Sequence, residues 1–305
     1  MMPTMWRSEH IPTTDSTQRE VLRRITAECH AATTAAAPTP LALWTLQQTH
    51  GQASHGRRWQ DSRDGGLALS MGWPSGHHAS SWSALPARIS VFVLRTLERL
   101  YPEIQARLGL KWPNDIMAGN AKLAGVLVSR HAIESVDWWI AGVGINLAWE
   151  EPPTLDRPVT DLKRLGVTMT DPAVLVQAVC QDLHDLCMND GLGLHWEQEF
   201  MRRDVLLNCR VSVVHPLTGE VLQHGWHRGV NDRGQLLLEC QDQIMTIILV
   251  NSLCAATSYE PSRFVTGGLW KFHRKVSGAP DPFRRSRGSC DLMGSGQNHR
   301  YRSHG

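Results

Sequence analysis

Between Ser81 and Leu100 the apolar residues Trp82, Leu85, Ile89, Val93, Leu97 and Leu100 recur at three- and four-residue steps. That spacing predicts an amphipathic helix with one face on a core. Pro86 falls in its first turns, where a missing N–H costs least. DSTQREVLRRI (Asp15–Ile25) predicts a capped helix start with Val21, Leu22 and Ile25 on one side. Asp171-Pro172 is a good N-cap and first-turn pair for a further helix, with Leu175, Val179, Leu183 and Leu186 facing inward. LALWTLQQ (Leu41–Gln48), LALSMGW (Leu67–Trp73) and LGLKW (Leu108–Trp112) predict strands. AGVLVS and WWIAGVGINL predict a strand pair buried on both faces, with turn chemistry near Ser135–Asp137. The Ala/Thr-rich run AECHAATTAAAPTP ends in two prolines and is expected to finish as a loop. THGQASHGRRWQDSRDGG fits no period and is a loop as well.

After Asp204 the pattern changes. CRVSVVH, GEVLQHGWHRGV, GQLLLEC and IMTIILV are short strands divided by TG, NDRG and QDQ turns, which predicts a small β-barrel of roughly 50 residues. From Ser258 onward Gly, Ser, Arg and Pro dominate without apolar period, and a disordered tail is expected. The expected organisation is a large domain over residues 1–203, a small β domain over 204–257 and a basic tail over 258–305. No internal repeat is evident.

Charge adds little for the chain as a whole. The net charge of +2 argues for no particular partner. Residues 258–305 hold nine Lys/Arg against three Asp/Glu, or +6, which leaves −4 for the first 257 residues. Seven scattered cysteines without a CxxC pair fit a reducing, cytoplasmic setting better than a disulfide framework. Fifteen histidines show neither HExxH nor Cys/His spacing, so no structural zinc is expected. The N-terminus lacks an apolar h-region and no 18-residue apolar run occurs, so neither a signal peptide nor a membrane span is expected.

Four short stretches carry candidate chemistry. LKWPNDIMAGNAKLAGVLVS places Lys111, Asn114, Asp115 and Lys122 between two apolar runs. A lysine at a strand edge is by default solvated, and Asp115 after Pro113-Asn114 fits simple turn chemistry. Together they suggest more: a carboxylate suits Mg²⁺, and a lysine seven residues later suits a phosphate. The small pair Ala124-Gly125 lets a flat ligand approach the backbone. QTHGQASHGRRW (Gln48–Trp59) is either a solvated basic loop, a nucleic-acid contact or an anion-wrapping lid with guanidinium forks at Arg57 and Arg58. GVGINL (Gly142–Leu147) ends a buried strand with the amide of Asn146, and its glycines suggest close approach. DST (Asp15–Thr17) is an N-cap whose hydroxyls at Ser16 and Thr17 also suit a neutral polar head group.

In this order, DST, strand–QT–Gly/Arg loop–GRxW, KWPND, KLAG and GxGIN resemble biotin–protein ligase, and Cys209–Leu253 is similar to that family's SH3-like C-terminal domain. The resemblance covers roughly residues 12–254. It implies an α+β fold: a mixed sheet with flanking helices, related to class II synthetases, plus a small SH3-like barrel. It implies an ATP-dependent ligase that makes biotinyl-5′-adenylate from biotin and MgATP. Biotin then passes to one lysine of a biotin carboxyl carrier domain, with acetyl-CoA carboxylase as the expected partner. It further implies that Ser16, Thr17, Gln18, Gln48, Gln52, Ala53, Ser54, Lys122 and Gly125 hold biotin. Arg57, Trp59 and Asn146 would meet ATP, Asp115 would hold Mg²⁺, and Lys122 and Arg57 would be catalytic. Gln52 and Ser54 stand where the family has arginines, and Gln18 replaces the asparagine of Ser-Thr-Asn. Three alternatives remain open: a biotin-binding module that has lost activation, a lipoate or octanoate transferase, and a DNA-binding repressor. About 15 residues before Ser16 are too few for a helix-turn-helix domain, so no DNA partner is expected. The sequence sets no oligomeric state.

Overall fold

The structure is a computed structural model. It describes residues 6–31, 39–53, 59, 65–75, 82–151, 157–168, 171–189, 195–215, 218, 220–241, 243–248 and 271–274.

The chain opens with β1 (Arg7–His10), α1 (Thr17–Ala31), β2 (Leu41–Thr45) and β3 (Gly66–Pro74), followed by α2 (Leu85–Leu100). Then come β4 (Leu108–Lys111), β5 (Asp115–Ala118), β6 (Ala121–Ile133) and β7 (Val136–Asn146). These seven strands form one sheet in the order β1-β2-β3-β7-β6-β5-β4. Only the β1–β2 pair is parallel, so the sheet is mixed. The apolar runs expected to pair, AGVLVS and WWIAGVGINL, are the antiparallel neighbours β6 and β7.

Alternation on β7 divides the molecule into layers. Trp139, Ala141, Val143 and Ile145 point into the main core. That core includes Ile89, Val93 and Leu97 of α2 and Leu175, Val179 and Leu183 of α3 (Pro172–Asn189). Trp138 and Ile140 point to the other face, beneath Val21 and Ile25 of α1. Helix α1 lies close to the sheet because Gly72 of β3 has no side chain; a Cβ there would come within 2.4 Å of Ile25 Cδ1.

Helix α4 (Trp196–Arg203) leads to a second sheet of β8 (Arg210–Val214), β9 (Val221–Val230), β10 (Leu236–Cys240), β11 (Gln243–Ile247) and β12 (Lys271–Arg274). Its order is β11-β10-β9-β8-β12, an antiparallel meander with β12 added beside β8. The pairing of β11 with β12 that would close a barrel is absent among the described residues. Strand β12 lies inside the segment expected to be a tail. Backbone pairing along the β8 edge needs no apolar alternation, which is why KFHR carried no strand signal. The remainder of 258–305 lies outside the described residues.

Three further elements were not foreseen. RSEH of β1 lacks apolar alternation and pairs with β2 through the backbone, with the His10 ring against Trp44 at 4.2 Å. DIMA of β5 is only four residues between turns, so Asp115 begins a strand instead of ending a turn. WEQEFMRR of α4 is half charged and buries only Trp196 and Phe200. Asp15 also differs from expectation. The helix starts at Thr17, and the Asp15 carboxylate pairs with Arg23 at 2.6 Å and Arg19 at 3.4 Å. The Arg23 hydrogen bond, partly opposed by burial, holds its pKa well below the carboxylate range.

Candidate functional site

A cavity opens on the α1 face of the sheet, beyond the N-terminus of that helix. It encloses about 450 Å³ of empty space, open solvent at its mouth included. Its floor is made of small residues in register: Ala68 opposite Gly144, Ser70 opposite Gly142, and Gly125 opposite Gly144 on the other side. Farther along the same face the sheet carries Trp138 and Ile140 under α1. The floor is therefore deep where the side chains shrink and filled where they do not. Concave sites with a few convergent polar groups are the usual setting for a small ligand.

Ser16, Thr17 and Gln18 enter from the first turn of α1, where free backbone N–H groups and the helix dipole favour a polar or anionic partner. All three are buried. Thr17 is held from two sides. Its N–H donates to Gln48 Oε1 at 2.9 Å, and its hydroxyl lies 2.7 Å from Ser70 Oγ. Gln18 donates through Nε2 to Ser129 Oγ at 2.9 Å and to Ile140 O at 3.4 Å. Its Oε1 is thereby turned toward Gly142, where a Cβ would stand 2.7 Å away.

The other end of the cavity is closed by Lys122. A β-bulge on β6 brings it there. Ile116 pairs with Ala124 but Met117 pairs with Lys122, so Leu123 is the extra residue. Lys122 and Gly125 consequently share a face although three residues apart, as happens when a bulge re-aims a side chain. The Lys122 ammonium forms an ion pair with Asp115, and lies 5.6 Å from the centre of the Trp59 ring. The two side chains are only 11% and 17% exposed. Burial works to raise the Asp115 carboxyl. Lys122, with Arg157 and Lys111 behind it, more than offsets this, and the carboxyl is held below its ordinary range. A Cβ on Gly125 would sit 2.7 Å from Lys122 Nζ, so glycine is what leaves the ammonium its place. Trp59 lies over Gly144, where a Cβ would meet its ring at 2.6 Å, and its Nε1 is buried without a partner among the described residues.

The cavity thus gathers Ser16, Thr17, Gln18, Gln48, Gln52, Ala53, Trp59, Lys122 and Gly125 from the sequence-derived candidates. Asp115 and Asn146 stand outside the lining, each touching Lys122. Asn146 donates to Thr160 O at 2.9 Å and to Lys122 O at 3.3 Å, tying the 158–160 segment to β6. Arg57 and Ser54 lie outside the described residues. Sequence reasoning passed over Ala68 and Ser70. Their signal was present as small residues at every second position of GLALSMG.

Among the described residues no group of three or more His, Cys, Asp or Glu is placed to hold a metal. Magnesium, however, is commonly bound by one or two carboxylates plus substrate phosphates. An ionised Asp115 beside an anion site fits an ion that arrives with a nucleotide, and does not fit an all-protein cage.

A small-floored cavity at a helix N-terminus, ending in a buried lysine–carboxylate pair on a mixed α+β sheet, is suited to a small ligand with an anionic end. Residues 13–146 match the biotin/lipoate A/B protein ligase family. The chain is similar to the biotin–[acetyl-CoA-carboxylase] ligase of Mycobacterium tuberculosis, 27% identical over 77% of this chain and 84% of that one. It is 28% identical to the bifunctional ligase/repressor BirA of Escherichia coli, over 65% of this chain and 61% of that protein. Biotin protein ligase from Aquifex aeolicus, solved in complex with biotin and ATP, shares the fold with a TM-score of 0.63. That match covers 88% of this chain and 98% of the other at 20% identity.

Proposed function

We propose that this protein activates biotin with MgATP to biotinyl-5′-AMP and then transfers biotin to a specific lysine of a biotin carboxyl carrier domain, with acetyl-CoA carboxylase the expected owner of that domain. The observation that carries the reading is the Lys122–Asp115 pair at the end of a cavity whose opposite end is the first turn of α1. A neutral polar ring fits the Ser16–Gln18 end, and a carboxylate reaching along the small floor arrives at the ammonium.

The chemistry asks two anions to meet. A carboxylate oxygen attacks the α-phosphorus, the bond to the β-phosphate breaks, and pyrophosphate leaves with the electron pair. Lys122 offsets the repulsion between the carboxylate and the phosphate in a site largely shielded from water. When bound with the nucleotide, magnesium, to which Asp115 offers a carboxylate, withdraws charge from the phosphate oxygens. The turn of α1 and Gln48 orient the ring, which supplies the positional part of the rate enhancement. In the second step the carrier lysine amine attacks the acyl carbon and AMP leaves. We assign the cover of the mixed anhydride to the 49–58 loop, with Arg57 as a further cation, from the sequence alone.

Our assignment of Ser54 and Arg57 to biotin and nucleotide follows from the resemblance, as does that of Asn146. We divide the chain at about residue 203, supported by the end of the seven-stranded sheet and the start of the second one at Arg210. We assign residues 204–257 to an SH3-like domain, with β12 joining it from the following basic segment. A cytoplasmic location is supported by free cysteines at 29, 180, 209 and 240, and no described helix is long and apolar enough to cross a membrane. No DNA partner is assigned.

Transfer of labelled biotin to a carrier domain, wild type against Lys122→Ala, tests the reading. Abundant transfer by the variant rejects Lys122 as the key cation. The family match spans lipoate as well as biotin enzymes, so lipoate and octanoate belong in the same assay. Preference for either acid replaces biotin as the substrate. Binding of biotin without pyrophosphate release would mark a binding module instead.

A further inference from the structure

Ser129 and His131 of β6 are absent from the sequence-derived site, yet a hydrogen-bond chain joins them to the cavity through Gln18. Gln18 leaves the first turn of α1 and crosses to the sheet, where its Nε2 donates to Ser129 Oγ at 2.9 Å and to Ile140 O at 3.4 Å. Ser129 and Ile140 are register partners on β6 and β7, so the amide nitrogen sits over one rung of the ladder. Two residues further along β6, on the same face, His131 Nε2 lies 2.9 Å from Ser129 Oγ.

Hydrogen-bonding capacity fixes which way this amide points. A primary amide has two N–H hydrogens, and here both are taken, one by a hydroxyl and one by a backbone carbonyl. Ile140 O can only accept, so nitrogen is the amide atom that faces the sheet. A serine hydroxyl has one hydrogen, and a neutral imidazole with its proton on Nδ1 takes it at Nε2; the oxygen lone pairs are then left for Gln18. Burial pushes His131 below its ordinary value and so favours the neutral ring. The other amide atom, Oε1, stands over Gly142 in the cavity floor and accepts from no donor among the described residues. This end of the cavity therefore presents an acceptor. It suits a ligand ring that carries an N–H and gives nothing to one that carries none.

We infer that Ser129 and His131 are positioning residues for substrate choice. They hold the Gln18 amide with its oxygen toward the ligand, and so select an acid whose ring bears an N–H, such as the cyclic urea of biotin, over an acid without one, such as lipoate or octanoate. This rests on the ligase reading for the identity of the acid, whereas the orientation of Gln18 rests on its hydrogen bonds. Without the Ser129 hydroxyl the amide loses one of its two anchors, and rotation about its last bond brings the NH2 group to where the acceptor stood.

Adenylation kinetics of the full chain, with biotin and lipoate binding measured by calorimetry, test this. Ser129→Ala should raise the KM for biotin roughly fivefold, the worth of one neutral hydrogen bond, with kcat and the KM for ATP within about twofold of wild type. Lipoate, which brings no N–H, should bind wild type and variant alike, so the preference for biotin falls by the same factor. His131→Phe keeps a ring, removes the acceptor and should give part of that rise. Ser129→Thr keeps the hydroxyl and should return the wild-type value; it also carries the test should Ser129→Ala fail to fold. Because Ser129 acts through Gln18, Gln18→Met alone and Gln18→Met combined with Ser129→Ala should share one biotin KM. An unchanged biotin KM in Ser129→Ala or His131→Phe, equal losses for biotin and lipoate, or additive losses in the double variant overturns the inference, and adenylate formation in those cases leaves the ligase reading standing. Ser129-dependent biotin binding by a wild type that forms no adenylate would sustain the positioning role and sink the ligase reading.

Discussion

Gly125 shows how much one side chain decides. Its hydrogen leaves room for the Lys122 ammonium, and a methyl group there would stand 2.7 Å from Nζ and 2.9 Å from Cε. Gly125→Ala should therefore raise the KM for biotin and ATP while the fold persists, because the displaced atoms are the end of a flexible side chain. A variant with unchanged KM values would show that Lys122 acts from a different position. Ser54→Arg restores a cation that the resemblance expects over the adenylate. It should tighten biotin binding and lengthen adenylate half-life by roughly tenfold, the worth of one charged hydrogen bond. Equal dissociation rates would count against it. Cys180 makes a third test. Burial pushes its thiol up to about 12. Iodoacetamide should leave it untouched in the native protein at pH 8 and modify it after urea unfolding. The sign of the linkage follows: above the ordinary thiol value near 9 the unfolded chain loses a proton that the native chain keeps, so stability falls as pH rises toward 12. At this scale Lys122, Asp115 and Gly125 were legible because they lie close together in one linear motif. Ser70 was not, because it reaches the site from a distant segment.

At the scale of elements, the turn between β9 and β10 holds the KWPND segment in place. Trp112 Nε1 donates to Gly234 O at 2.9 Å, and Ser83 Oγ donates to Arg233 O at 2.5 Å. Gly234 has φ +72°, and a Cβ on it would come within 2.4 Å of Ala84 Cα, a backbone atom that cannot swing aside. Gly234→Ala is thus expected to destabilise the protein by about 1–3 kcal/mol, through left-handed strain and the clash. Urea unfolding measures it, and an unchanged midpoint would show that the turn is free to move. The helices with long apolar periods, α2 and α3, match expectation because period 3.6 is a property of the chain itself. Strands β1 and β5 escaped because each is four residues long and owes its state to a neighbour. The bulge at Leu123 escaped for a similar reason. Nothing in AKLAG distinguishes a regular strand from one with an extra residue until β5 is beside it.

For the molecule as a whole, the seven-stranded sheet and the second sheet meet at a buried histidine–carboxylate contact. His227 of β9 contacts Asp204, the residue after α4, with the side chains 1% and 0% exposed. Asp204 also bridges Leu110 of β4, and Val205 N donates to Leu110 O at 2.9 Å. The pair therefore joins the second sheet to the strand that leads into Lys111 and Asp115. Removing one partner of a buried hydrogen-bonded pair leaves the other unsatisfied, and His227→Ala is expected to cost about 1–3 kcal/mol. Thermal unfolding should show it, and a variant as stable as wild type would mean that Asp204 finds another partner.

What the amino-acid order determined by itself is local. It comprises the helix periods, the apolar strand runs, the small residues at 124–125 and 142–144, and the linear motif that places Lys122 seven residues after Asp115. Side-chain size and backbone preference are properties of a residue and its near neighbours, so they are readable along the chain. Tertiary structure alone decided which face each strand turns to the ligand, and which cations share one carboxylate. Facing depends on register with a partner strand, and electrostatic grouping depends on distances that only the closed sheet creates.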